Sequence, residues 1–420
     1  MADADTEHAI HGAHDSSPDH EPSLRTEVSK LAYMAVPLAL ENSLWYASNI
    51  ISTIFIGHLG KHELAAVVLG ESVFNVTGFS LVLGLTSGCQ TLLPQAFGAK
   101  RYAAMGIIAQ KALFMCLSLS ALIILAWTQL DKALLLLGQD PSISAAAARY
   151  VRISSPALVL ITMSDVIRCV LTAQLDIYPC TGISIFTTFL TPLINWLLIY
   201  YWEFRLDGAA MANIVEALLF LLLIASYFLW RESRLKQSRR HTLQSWSSDP
   251  FRNWGAYLKI AVPGLAMICL EWWTYEVIVI MAGLLPDSTI SVAVMGVSFD
   301  ITTITYMLPA GIGGALETIM SNHMGAGSYR AAQLSLRAAL EMGLGTVLVT
   351  AVAVFAGRSV WPRIFTKDSR IVALASSVLV ILAVSSVFDG LMSIFRGAVT
   401  ALGRQVEGAA VAFACYWPGN

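Results

Sequence analysis

The 420-residue chain is 56% hydrophobic and only 13% charged, with a formal charge of -2, and its mean hydropathy is +0.66. That balance excludes a water-soluble globular domain and leaves a polytopic membrane protein. It also argues against a nucleic-acid partner, because no run of Lys and Arg rises above what loops between membrane helices carry.

Residues 1–24 hold Asp3, Asp5, Glu7, Asp15, Asp19 and Glu21 with four histidines and no apolar core. They read as part of a disordered cytosolic tail, taken to residue 30, and not as a signal peptide, so the first helix directs insertion. The histidines lack ligand spacing, and no metal is expected there. Apolar runs follow near 34–57, 66–93, 107–128, 151–175, 181–202, 209–230, 258–285, 292–316, 334–356 and 371–396. Each reaches the roughly 20 residues that cross about 30 Å of hydrocarbon, which predicts ten complete helices. An eleventh begins near Val406 and meets Trp417-Pro418-Gly419-Asn420 too soon to span. The six cysteines are scattered without a CxxC pair and read as reduced packing residues.

The chain repeats itself. Ala35-Val36-Pro37 returns as Ala261-Val262-Pro263, Gly57 as Gly283, Gly84 as Gly311, Tyr102 as Tyr329, and Gln95-Ala96-Phe97-Gly98-Ala99 as Asn322-His323-Met324-Gly325-Ala326, at an offset of about 226 residues. Lys111 meets Arg337, Asp140 meets Asp368 and Asp165 meets Asp389. Two homologous membrane lobes follow, over 31–230 and 258–420 and joined by a basic linker at 231–257. Transporters use such halves to place a substrate site between lobes that rock. Asn420 matches about Ile194, midway through the fifth helix of the first copy, so the second lobe is expected to be incomplete.

Orientation follows from Lys and Arg. The linker carries Arg231, Arg234, Lys236, Arg239, Arg240 and Arg252, whereas the loops near 176–180 and 286–291 carry none. Linker and N-terminus are therefore placed in the cytosol. The 357–370 loop, with Arg358, Arg363, Lys367 and Arg370, opposes that assignment.

Carboxylates inside apolar spans each cost roughly 2.5–3.5 kcal/mol on insertion scales and ask for a reason. Glu271 sits mid-helix in Cys269-Leu270-Glu271-Trp272-Trp273-Thr274-Tyr275-Glu276, with Asp300 in the eighth helix and Asp389 in the tenth. A buried carboxylate can hold a proton and release it when water enters, and once ionised it attracts an organic cation. Proton and cation then compete for one charge. Glu271 and Glu276 lie about 140° apart around a helix, so only one faces the lobe interior squarely, and Glu271 is expected to be that one. The bland reading is that such acids are held by hydroxyl donors, Thr303 for Asp300 and Ser386 or Ser393 for Asp389. Glu41, Asp165 and Glu317 carry the same two readings, and Glu317 lies near a helix end where simple solvation would explain it. Trp272, Trp273, Tyr275 and Tyr306 are candidates for a cation pocket through their ring faces, against the alternative of ordinary packing.

At these residues the chain resembles the multidrug and toxic compound extrusion (MATE) family, eukaryotic branch. The specific pieces are Cys269 to Glu276 followed by Gly283-Leu284-Leu285-Pro286, Phe55-Ile56-Gly57-His58-Leu59-Gly60, Asn75-Val76-Thr77-Gly78, Gln95-Ala96-Phe97-Gly98-Ala99 and Ser321-Asn322-His323-Met324-Gly325-Ala326-Gly327. The resemblance implies an all-α bundle of two six-helix lobes, twelve helices in all, that expels organic cations, drugs or secondary metabolites against entering protons or sodium. It places Glu271 on the glutamate of the seventh helix needed for transport, Glu276 on a second acid, and Asp300 and Asp389 where animal members carry glutamate. Two departures stand out. Gln90 replaces a usual acid, and Glu317 with Ile319 stands where relatives have a small residue followed two places on by arginine.

The reading is therefore a monomeric, multi-pass antiporter without cofactor or enzymatic activity, driven by protons rather than sodium, exporting an organic cation across the plasma membrane or a vacuolar or other internal membrane. A non-transporting truncated fragment and a flippase for lipids or lipid-linked sugars are the alternatives.

Overall fold

The structure, a computed structural model, describes residues 23–235, 241–242, 250, 252–282, 284–285 and 287–416. Most of the acidic tail, the centre of the basic linker, Gly283, Pro286 and the last four residues lie outside that set. The described residues form helices joined by short turns. These are α1 (Leu24–Gly57), α2 (Lys61–Phe74 and Ser80–Gly98, continuous through a π-turn at Asn75–Phe79), α3 (Tyr102–Trp127), α4 (Pro141–Ala173) and α5 (Tyr178–Trp196, ending in a second π-turn). They continue as α6 (Arg205–Leu235), α7 (Trp254–Ala282), α8 (Ser288–Gly325), α9 (Tyr329–Gly357), α10 (Ser369–Ala401) and α11 (Gln405–Tyr416).

Each of the ten predicted spans falls on a helix, and nine of them, α2 to α10, are long and apolar enough to cross a bilayer. α1 is the exception by composition. It also starts at Leu24, well ahead of the predicted residue 31, with Ser23 accepting from the Thr26 amide as N-cap. The polar first turns are helical because Glu27 is buried, a partner pattern that apolar periodicity does not display.

The repeat is explained by crossings between lobes. A Cβ on Gly84 of α2 would stand 2.6 Å from Leu265 of α7, and one on Gly311 of α8 would stand 2.7 Å from Ala35 and Ala39 of α1. The matched glycines let the same two helix pairs approach backbone to backbone, as small residues do in membrane interfaces. At the bundle end where α1 begins, Gly98 abuts the Asn322 carbonyl and Gly325 abuts that of Gln95. The same two amides cap helices of the opposite lobe, Gln95 Nε2 donating to the Ala401 carbonyl at 2.9 Å and Asn322 Nδ2 to that of Ala173 at 3.3 Å. Here the lobes are closed on each other about a pseudo-twofold axis. One apolar core is built mainly from the first lobe with Tyr257 and Ala261 of α7 joining it, and a second joins Leu31, Met34 and Leu38 of α1 to α8, α9 and α10.

A polar clasp reinforces that end. Ser335 Oγ donates to Glu27 Oε2 at 2.6 Å, His323 Nε2 lies 3.0 Å from the same oxygen, and Lys30 Nζ reaches Glu27 Oε1 at 2.9 Å. Glu27 precedes the apolar stretch of α1. Burial pushes its carboxyl up, but hydrogen bonds from His323 and Ser335, the His323 charge and Lys30 outweigh burial and hold it at about 2, against an ordinary 4.5. A group lowered on folding contributes stability that is present above its unfolded value and lost as pH falls through the folded one. The thermal midpoint of the detergent-solubilised protein is therefore expected to drop from pH 4.5 towards 2 more steeply than that of Glu27→Gln. Superimposable acid profiles would show that the clasp contributes nothing.

Candidate functional site

Between the lobes lies a cavity of about 520 Å³. One wall is aromatic. Trp45 of α1 stacks on Phe79 at 5.5 Å between ring centroids, and Phe79 meets Trp272 of α7 at 5.9 Å, so the row crosses from one lobe to the other. Phe79 sits at the end of the π-turn, a local unwinding that recurs at functional sites and here re-aims one turn of α2 into the cleft. Trp127 fixes the turn from behind, its Nε1 donating to Thr77 Oγ1 at 2.9 Å.

Elsewhere the lining mixes apolar side chains such as Leu38, Ile161, Met267 and Met307 with charged ones, and its acids outnumber its arginines. Glu41, Glu71, Asp165, Glu216 and Glu317 line it with Arg168 and Arg396. In the first lobe Arg168 binds Asp165 at 2.5 Å and Glu41 at 3.6 Å, and Thr86 donates to Asp165 at 2.9 Å. Tyr150 donates to Glu71 at 3.2 Å while accepting from Asn213, and Asn195 donates to Glu216 at 3.3 Å. In the second lobe Arg396 Nη1 binds Glu271 Oε2 at 2.5 Å, and Tyr306 donates to Glu271 Oε1 at 3.1 Å. Arg396 and Tyr306 face the cavity; Glu271 stands behind them, buried.

The sequence-predicted acids divide in two. Glu271 and Asp389 share the interior of the second lobe with Tyr275, and Asp389 takes its hydrogen bond from Ser385 at 3.2 Å rather than from Ser386 or Ser393. Asp300 and Glu276 instead bridge the lobes. Tyr46 of α1 donates to Asp300 of α8 at 2.5 Å, and Ser72 of α2 donates to Glu276 of α7 at 3.1 Å. These two bridges involve repeat-related helix pairs, and Asp300 is held by Tyr46 where Thr303 was the expected donor. Among the predicted aromatics, Trp272 and Tyr306 line the cavity. Tyr275 packs edge-on against Phe299 at 5.4 Å, and Trp273 points away, donating to the Val76 carbonyl.

Arg168 and Arg396 were not anticipated, because the search for costly charges considered carboxylates alone. A signal was present: the two arginines stand 228 residues apart, the spacing that also relates Asp140 to Asp368. Glu317 is likewise no solvated helix end, since its Oε1 is buried.

A helical bundle with a two-fold repeat, arginine-paired acids in both lobes and a cavity between them is a membrane transport architecture, and comparison with known proteins decides which one. The sequence profile of the MatE family matches residues 37–197 and 263–420. The chain belongs to the MatE family. Among its members, Protein DETOXIFICATION 16 of Arabidopsis thaliana is 29% identical over 395 residues, 94% of this chain and 80% of that protein. Multidrug and toxin extrusion protein 1 of Danio rerio is 32% identical over 389 residues, 92% of this chain and 64% of the other. The crystal structure of the eukaryotic MATE transporter AtDTX14 superposes with a TM-score of 0.88 at 28% identity, covering 94% of this chain and 87% of that one. The resemblance drawn from the motifs thus holds for family and fold: an all-α, multi-pass membrane transporter.

Proposed function

We propose that this MatE transporter is a proton-coupled antiporter that exports small organic cations. The observation that carries the reading is the placement of Glu271 behind Arg396, with the arginine at the cavity wall. Ionised, the pair is neutral overall and leaves the remaining cavity acids to attract a cation. Protonation of Glu271 removes its charge and leaves Arg396 positive beside the cavity. Two like charges 6 Å apart at an effective dielectric of 20 repel by about 3 kcal/mol, enough to expel a bound cation. Proton entry on one side then favours cation release on that side. The basic linker is assigned to the cytosol by its arginines, and the N-terminus with it because six helices separate the two.

An anionic lipid finds less support, because both cavity arginines are already paired with carboxylates. Exchange of one proton for one monovalent cation moves no net charge, so one pH unit supplies about 1.4 kcal/mol and the membrane potential supplies none. The test is uptake of a labelled organic cation by proteoliposomes with the potential clamped. A pH gradient alone should drive it, whereas uptake driven by sodium or by potential and indifferent to pH would overturn the reading.

A further inference from the structure

Among the cavity acids left to attract a cation, Glu317 has no ion pair or hydrogen bond of its own. The other cavity acids each have an ion pair or hydrogen bond: Glu41 and Asp165 with Arg168, Glu71 with Tyr150, Glu216 with Asn195, although Glu41 Oε2 is itself buried without a hydrogen bond. Glu317 lines the same cavity, and its Oε1 is buried without a hydrogen bond. The nearby cation that acts on it is Arg396, whose Nη1 is already held by Glu271 and whose Nη2 reaches Tyr306 at 3.4 Å. Nor can the carboxylate withdraw easily. One turn earlier on α8, Gly313 packs within 2.6 Å of the Ser393 carbonyl, and Gly397 of α10 packs within 2.3 Å of the Gly313 carbonyl, measured from the Cβ each lacks. α8 and α10 are thereby locked together with Glu317 held at the cavity.

A buried acceptor left without a donor costs free energy that a bound donor returns. We infer that Glu317 is a specificity-determining residue that accepts a hydrogen bond from a protonated amine, so that the preferred substrates are amines carrying N–H⁺ rather than quaternary ammonium ions. A quaternary ion brings the charge but no donor, and leaves Oε1 unsatisfied. The inference rests on the organic-cation reading of the cavity and deepens it.

Binding of three probes to the purified full-length protein tests it: protonated 1-naphthylmethylamine, its N,N,N-trimethyl quaternary derivative, and neutral 1-naphthalenemethanol. The amine should bind wild-type protein at least tenfold more tightly than the quaternary ion. Glu317→Gln should lose at least tenfold for the amine and leave the alcohol unchanged. Equal amine affinity in wild type and variant overturns the inference, as does a loss shared by all three probes, which marks a packing defect. If Glu317→Gln keeps wild-type affinity while wild type shows pH-driven exchange, the subsite falls and the antiport reading stands. Selective loss of amine binding in a wild type that shows no pH-driven exchange does the reverse.

Discussion

Glu271→Gln is expected to reach the membrane at wild-type levels and to lose pH-driven cation exchange by at least tenfold. The glutamine can still accept from Arg396 through its amide oxygen, so the packing around Tyr306 survives. What disappears is the charge that a proton can cancel. With a permanently neutral residue behind it, Arg396 presents its positive charge to the cavity at every pH, the condition assigned above to the protonated transporter. Cation affinity should therefore be low and indifferent to added protons, whereas wild-type affinity should fall as protons are added. Charge-assisted contacts of this kind are worth about 1.5–3 kcal/mol, consistent with a loss of tenfold or more. Proteoliposome exchange and equilibrium binding as a function of pH measure the two halves of the expectation. Wild-type-like pH-driven exchange in Glu271→Gln would remove Glu271 from the exchange step.

The membrane helices and their repeat were legible in the sequence because each membrane crossing needs a stretch of apolar residues and because matched residues such as Gly84 and Gly311 mark close helix crossings. The start of α1 was not, since Glu27 and Lys30 look solvated until Ser335 and His323, about 300 residues away, are brought against them. The same limit governed the site. Mid-span position singled out Glu271, Asp300, Asp389 and Glu276 as costly, but cost alone does not say what offsets it. Helical geometry separated the aims of Glu271 and Glu276, whereas only the packed lobes reveal that Asp300 and Glu276 hold partners across the cleft. Glu317 was the reverse case: its place near a helix end suggested water, and the tight α8 and α10 crossing encloses it instead.

Arg396→Met is expected to be the most destabilising change in the second lobe, more so than Glu271→Gln. Removing the arginine leaves a buried carboxylate whose hydrogen bond from Tyr306 alone cannot replace the lost charge. Breaking a buried pair from one side costs about 3–5 kcal/mol. Arg396→Met with Glu271→Gln should recover most of that loss, because the second substitution removes the uncompensated charge along with the first. A coupling energy of at least about 2 kcal/mol between the two sites is the expected result of the double-mutant cycle, read from thermal or denaturant unfolding in detergent. Additive losses would mean that the 2.5 Å contact carries little energy. The double variant should nevertheless fail to exchange cations against protons, since its cavity wall no longer changes charge. Recovered stability without recovered exchange would separate the structural role of the pair from its transport role, which a single substitution at either residue leaves combined.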